Sequence, residues 1–206
     1  MDQSKSFERR NELIAAALKE FSVRAYEAAS INRIISEAGI SKGTFYYHFP
    51  SKEELFFFLV DHAVQSRIDF VTARMTALGP EGAGKDLFEQ LKIQAKIGVD
   101  FALGCPQLVQ FAVRAAREQG PISTKLLERL GGRTASLLEP LLAGAIAKGE
   151  VRADLGSDFP AVILPFMFLS FNQLFVDPHK SPNRDQIYAD LDRYFEFIKH
   201  GLAGQQ

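Results

Sequence analysis

Cysteine is almost absent from these 206 residues: Cys105 stands alone. A single thiol builds neither a disulfide framework nor a thiolate metal site, which leaves a space-filling residue at a helix start or a reactive group. The four histidines (His48, His62, His179 and His200) share no ligand-like spacing, and no phosphate-cradling glycine loop appears. No metal, cofactor or catalytic residue is therefore expected, and the chain does not read as an enzyme. Charge of one sign is missing too. A net charge of −1 gives no general attraction to nucleic acid, and residues 1–52 hold only eight Lys/Arg against six Asp/Glu. The opening MDQSKSFERR lacks the apolar core of a signal peptide. The most apolar window, 159–176, is interrupted by Pro160, Pro165, Ser170, Asn172 and Gln173, so it reads as a buried helix and not as a membrane span. A cytoplasmic protein is expected. No segment alternates at period two, and the 47% hydrophobic and 24% charged content is that of an ordinary globular chain. The expectation is all-α.

What is present is concentrated in residues 30–55, SINRIISEAGISKGTFYYHFPSKEEL. Ser30 is a good N-cap, and Ile31, Ile34, Ile35 and Ala38 fall at helical spacing. Gly39 stands where a helix ends through the left-handed region. Ser41 can cap a second short helix, anchored by Phe45 and Phe49 four residues apart. Between the anchors lie Lys42, Gly43, Thr44, Tyr46, Tyr47 and His48, a polar or amphipathic face with one glycine for close approach, which suits a major groove. Ser51 to Glu54 form a capping box for a third helix, Ser51 bonding forward and Glu54 reaching back. Lys52 is out of place there, because a cation in the first turn opposes the helix dipole unless an anion such as a phosphate lies nearby. Two helices around a tight glycine turn make a helix-turn-helix, with a reading unit at 30–49.

The run GISKGTFYYHFPSKEELF resembles the DNA-binding domain of the TetR family of bacterial regulators, departing locally at Pro50. The resemblance implies base-edge and groove contacts from Ser41, Lys42, Thr44 and Tyr46, with Gly43 giving clearance. It implies phosphate contacts from Tyr47, His48 and Lys52, helped by Ser30 and Asn32. Tyr46 or Tyr47 as a half-buried core aromatic, and Lys52 as a solvated lysine, are the plainer readings.

Helical periodicity continues over 8–26, 51–78, 86–103, 106–118, 121–148, the apolar window, and a final helix begun by Ser181-Pro182. Gly131-Gly132 and Pro140 should weaken or bend the 121–148 helix or split it in two, and GPEGAG at 79–84 should be a flexible break after the 51–78 helix. The expected organisation is a three-helix DNA-binding domain at 1–52, a connecting helix at 53–78, and an effector-binding and dimerisation domain at 79–206. The phrase AKGEVRADL before an apolar helix, and the closing amphipathic helix, extend the TetR resemblance weakly. It implies a homodimer through 159–176 and 183–202, a palindromic operator, and a small effector. Eighteen phenylalanines suggest that the effector is apolar, with Phe101, Phe111 and Phe166 as cavity candidates beside plain core roles. Asn172 and Gln173 need partners if buried, in a ligand or across a dimer. The functional expectation is a sequence-specific transcriptional regulator, a repressor released by its effector. The alternatives are a constitutive DNA binder and a helical protein-interaction module.

Overall fold

The computed structural model describes residues 9–82, 86–156, 158–160, 162–163 and 183–202. Its helices are α1 (Arg10–Val23), α2 (Ile31–Ala38), α3 (Lys42–His48), α4 (Lys52–Gly82), α5 (Leu87–Gly104), α6 (Pro106–Ala115), α7 (Pro121–Ala147) and α8 (Arg184–Leu202). A 3-10 turn, Ala153–Leu155, precedes α8, and no β-strand runs through the described residues. The all-α fold class is as expected. The expected break after residue 78 appears as Gly79, whose φ of 67° and ψ of −176° interrupt α4. Gly131, Gly132 and Pro140 do not split α7, which runs as one helix through all three. The Ser181-Pro182 start lies outside the described residues; α8 is capped by Asn183, whose side-chain oxygen accepts from the Asp185 N–H at 3.0 Å and the Gln186 N–H at 3.3 Å.

The chain packs as two compact units, Met1–Ile68 with Cys105–Arg129, and Asp69–Gly104 with Leu130–Gln206. The grouping follows packing and not chain order, since Cys105–Arg129 lies well past residue 79. In the first unit α1 packs on both α2 and α6. Phe21, Phe56 and Phe111 meet in a buried aromatic cluster, with ring centroids 5.3 to 6.4 Å apart in edge-on arrangements. Such T-shaped contacts add to the area the rings remove from water. The start of α7 is tied to α4 by Lys125–Glu53 at 2.6 Å and by a two-pronged Arg129–Asp61 pair.

The core of the second unit gathers Leu87, Phe88 and Leu91 with Leu142, Val151, Leu191 and Phe195. Helices α5 and α8 run antiparallel, as three polar links show: Asp86 with Lys199, Lys96 with Asp192, and Asp100 with Arg184 and Tyr188. The order ascends on α5 and descends on α8. Burial pushes the Asp86 carboxyl up, but the Lys199 ammonium and the N–H groups of Glu89 and Phe88 together outweigh it, so its pKa lies below the usual value of 3.8. A carboxylate held low in the fold stabilises it above the unfolded pKa and loses that contribution as pH falls through the folded one. Both partners are partly exposed, which limits the pair to about 0.5–1 kcal/mol. Lys199→Met should therefore lower the melting temperature by roughly 1–3 °C at neutral pH. Thermal melts of both proteins across pH should show that difference shrinking as the pH drops below 3.8.

Candidate nucleic-acid interface

The reading unit is assembled by short-range capping. The Ser30 hydroxyl accepts from the Arg33 N–H at 3.5 Å and opens α2. Gly39 closes it in the left-handed region, at φ 65° and ψ 34°. The Arg9 guanidinium donates to the Gly39 carbonyl at 3.1 Å and sits 2.5 Å from where a Cβ would stand. Glycine is favoured there by its left-handed conformation, and a larger residue would also displace the Arg9 guanidinium. Ser41 opens α3, accepting from the Thr44 N–H at 3.0 Å, with the two hydroxyls 2.7 Å apart. Ser51 accepts from the Glu54 N–H at 3.1 Å. The reciprocal bond of the expected capping box is not made among the described residues, so the box is half formed.

Phe45 is fully buried and fixes the inner face of α3, with the Phe49 ring 6.1 Å away and Phe49 in turn edge-on to Phe58. The opposite face carries Lys42, Gly43, Tyr46 and Tyr47, all exposed. Tyr47 is 83% exposed and stands edge-on to His48. Tyr46 leans its ring edge on Phe45 while lying under the Lys42 ammonium at 6.0 Å. Ser41 and Asn32 are exposed, and Ser30, Thr44 and His48 are half-buried. Gly43 is the informative position. A Cβ there would meet nothing nearer than the Ser41 hydroxyl at 3.8 Å, and its backbone is not left-handed. Nothing inside the protein requires a glycine at this place.

Lys52 is engaged differently from the rest. Its ammonium donates to the carbonyls of Tyr26 (2.8 Å), Glu27 (3.2 Å) and Ala29 (3.2 Å), and it sits 4.6 Å from the centre of the Tyr26 ring. All three of its donors are matched within the chain. The negative ends of carbonyl dipoles in the α1–α2 loop thus offset the lysine's place in the first turn of α4. Glu20 holds the other side of that loop, accepting from the Ser30 N–H at 2.9 Å and from Arg33. The Arg33 guanidinium, first among the causes, keeps its carboxyl below the usual pKa.

The effector candidates separate. Phe111 belongs to the aromatic core of the first unit, against Phe21 and Phe56. Phe101 is buried in the second unit, 5.5 Å from Phe70. Phe166, Asn172 and Gln173 lie outside the described residues. Sequence reasoning missed Phe197, which is 73% exposed on the outward side of α8, while Ile187, Leu191, Phe195 and Ile198 turn inward. Its signal was present: it falls off the inward stripe. It also missed Glu118, whose partner is distant in sequence.

Residues 13–58 match the model of the bacterial regulatory proteins of the tetR family. The head is a TetR-family DNA-binding domain. The regulator YdgC of Bacillus subtilis is 43% identical over 54 residues, 26% of this chain and 28% of that protein. The repressor NicS of Pseudomonas putida is 27% identical over 149 residues, 71% of this chain and 67% of NicS. The matched stretches span under a third of the length of the first two curated relatives. A TetR-family regulator from Chloroflexus aurantiacus superposes with a TM-score of 0.76 at 24% identity, covering 98% of this chain and 96% of its own. The likeness in fold thus reaches well beyond the TetR head. Gly43→Ala should leave the melting temperature unchanged or raise it, since alanine is favoured over glycine in a helix by up to ~1 kcal/mol. The same substitution should weaken binding to a cognate duplex by roughly tenfold or more, as a methyl added to the outward face of α3 would where that face meets base edges. Melting and titration of one preparation check both halves.

Proposed function

We propose that the protein is a sequence-specific transcriptional regulator, a homodimeric repressor that leaves a palindromic operator when a small apolar effector binds. The observation that carries the reading is the outward face of α3, where Lys42, Tyr46 and Tyr47 surround a glycine that the fold itself does not need. Lys42, Tyr46, Thr44 and Ser41 are assigned to base edges and groove. Tyr47, His48, Asn32 and Ser30 are assigned to the flanking phosphates, which set register without reading sequence. Lys52 would serve the interface through the loop it holds, its donors being taken up by carbonyls. The name of NicS, a repressor, favours repression.

One head offers few contacts, and two heads related by a two-fold axis would reach half-sites about 34 Å apart, one turn of the duplex. Exposed apolar side chains in the second unit suit such pairing: Phe197 on α8, and Phe159 with Val162 one helical turn apart. Regulation requires the effector to prefer one of two states of the protein, because equal affinity for both shifts nothing. Phe101 remains a candidate for its site. No catalytic role is assigned, and a DNA reader works where the chromosome is, in the cytoplasm.

The test is a mobility shift on the DNA flanking the gene, with excess random competitor, followed by a random-sequence selection if that DNA gives nothing. A competitor-resistant complex is expected, lost on Lys42→Ala and on Tyr46→Ala. Its log affinity should fall with log salt at a slope near −0.9 for each phosphate contacted. A flat salt response, or no selected sequence, would sink the reading in favour of a protein-interaction module. Sedimentation should find a dimer that Phe197→Asp dissociates; an unchanged dimer would place the interface elsewhere.

A further inference from the structure

Residues 24–30, the loop between α1 and α2, deliver the chain to Ser30 and hence set where α2 and α3 begin. Loop backbone must find partners or stay with water, and here charged side chains supply them. Lys52 takes the carbonyls of Tyr26, Glu27 and Ala29, Arg33 takes that of Ala28, and Glu20 takes the Ser30 N–H. Those three residues lie inside the 13–58 segment. The Tyr26 N–H goes elsewhere. It donates at 3.0 Å to Glu118, in the turn after α6, 92 positions along the chain. The Glu118 side chain is only 6% exposed and is balanced by Arg114 at 3.5 Å. A carboxylate desolvated to that degree is costly unless paired, and both its partners are in place. The backbone of Tyr26 is thus held on both sides of its Cα, its N–H by an anion and its carbonyl by a cation.

We infer that Glu118, well beyond the end of the family domain at residue 58, is a positioning residue for DNA recognition. Its bond to the Tyr26 N–H holds the α1–α2 loop in the conformation that presents α3 for reading. The inference rests on the function proposed above. It places part of the DNA-binding apparatus in the corner between α6 and α7, which packs with the head in one unit. Without Glu118 the Tyr26 N–H is left unpaired, the loop samples other conformations, and the reading face loses its fixed register. Specific binding needs that register, whereas non-specific attraction to phosphates does not.

The experiment compares the full-length wild type with Glu118→Met and Glu118→Gln on the selected operator and on a random duplex. Amide exchange of the 24–30 segment and far-UV melts are recorded on the same preparations. Glu118→Met should lose about tenfold on the operator, as expected for a lost hydrogen bond to a charged group. Its affinity for random duplex should stay within about twofold, since that binding is electrostatic. The amides of 24–30 should exchange faster at unchanged helicity. Glu118→Gln keeps an oxygen acceptor and should bind nearly as the wild type does. Operator binding by Glu118→Met equal to wild type would overturn the inference alone. So would equal losses on both duplexes with a fall in helicity, which would show a general folding role. A wild type that selects no sequence would overturn the proposed function and this inference together.

Discussion

The head depends on how one loop satisfies its backbone. Between the end of α1 and Ser30 the chain leaves helical geometry, and its carbonyls lie close to the start of α4. A lysine in the first turn of a helix is unfavourable by itself, because the helix dipole repels it by a few tenths of a kcal/mol to about 1. At Lys52 that cost is offset by three charge-assisted hydrogen bonds to carbonyls and by the face of Tyr26. Burial, with Glu53 and Glu27 as further causes, pushes the Tyr26 phenol pKa up, so the ring beneath the ammonium stays neutral. With the loop fixed from one side by Lys52 and from the other by Glu20, α2 starts at a defined point. Phe45, fully buried, then fixes the inner face of α3.

The parts of this arrangement that were legible in the sequence are those that depend on neighbours. Ser30, Ser41 and Ser51 act on amides three residues ahead, Gly39 acts through its own φ, and Phe45 follows from helical spacing. A cap or a turn is decided within one helical turn, so a single sequence suffices. Lys52 was visible as an anomaly because it broke a local rule, but its partners are some 25 positions back and no local rule names them. Phe111 and Glu118 gave no such sign. A phenylalanine on an amphipathic helix satisfies any apolar surface, and only packing decides that Phe111 meets Phe21 and Phe56. Pro140 and the Gly131-Gly132 pair mislead in the opposite sense: propensity allows a split there, and α7 nevertheless runs on as one helix.

In the second unit the same distinction governs α8. Its inward stripe of Ile187, Leu191, Phe195 and Ile198 is readable at period 3.6, and it serves the unit's own core. An amphipathic stripe is consumed by folding and so is a poor guide to a partner surface. Phe197 differs because it lies outside that stripe and stays exposed. Unlike the stripe, that side chain is not consumed by the unit's own core.

Weak charge explains why so much of the molecule is devoted to alignment. With a net of −1 overall and little excess of Lys/Arg in the first 52 residues, long-range attraction to phosphate is small. A head of that kind cannot compensate for poor geometry with electrostatic affinity. Discrimination must come from a few side chains at correct distances from base edges, each good pair worth about 1–3 kcal/mol. Such contacts tolerate little displacement, so α3 must be held before DNA arrives. The aromatic cluster, the Arg9 contact at Gly39 and the charged grip on the α1–α2 loop all contribute to that preorganisation. Packing extends beyond the helix-turn-helix, because α1 lies against α6 as well as α2 and Phe111 of α6 completes the aromatic cluster of Phe21 and Phe56.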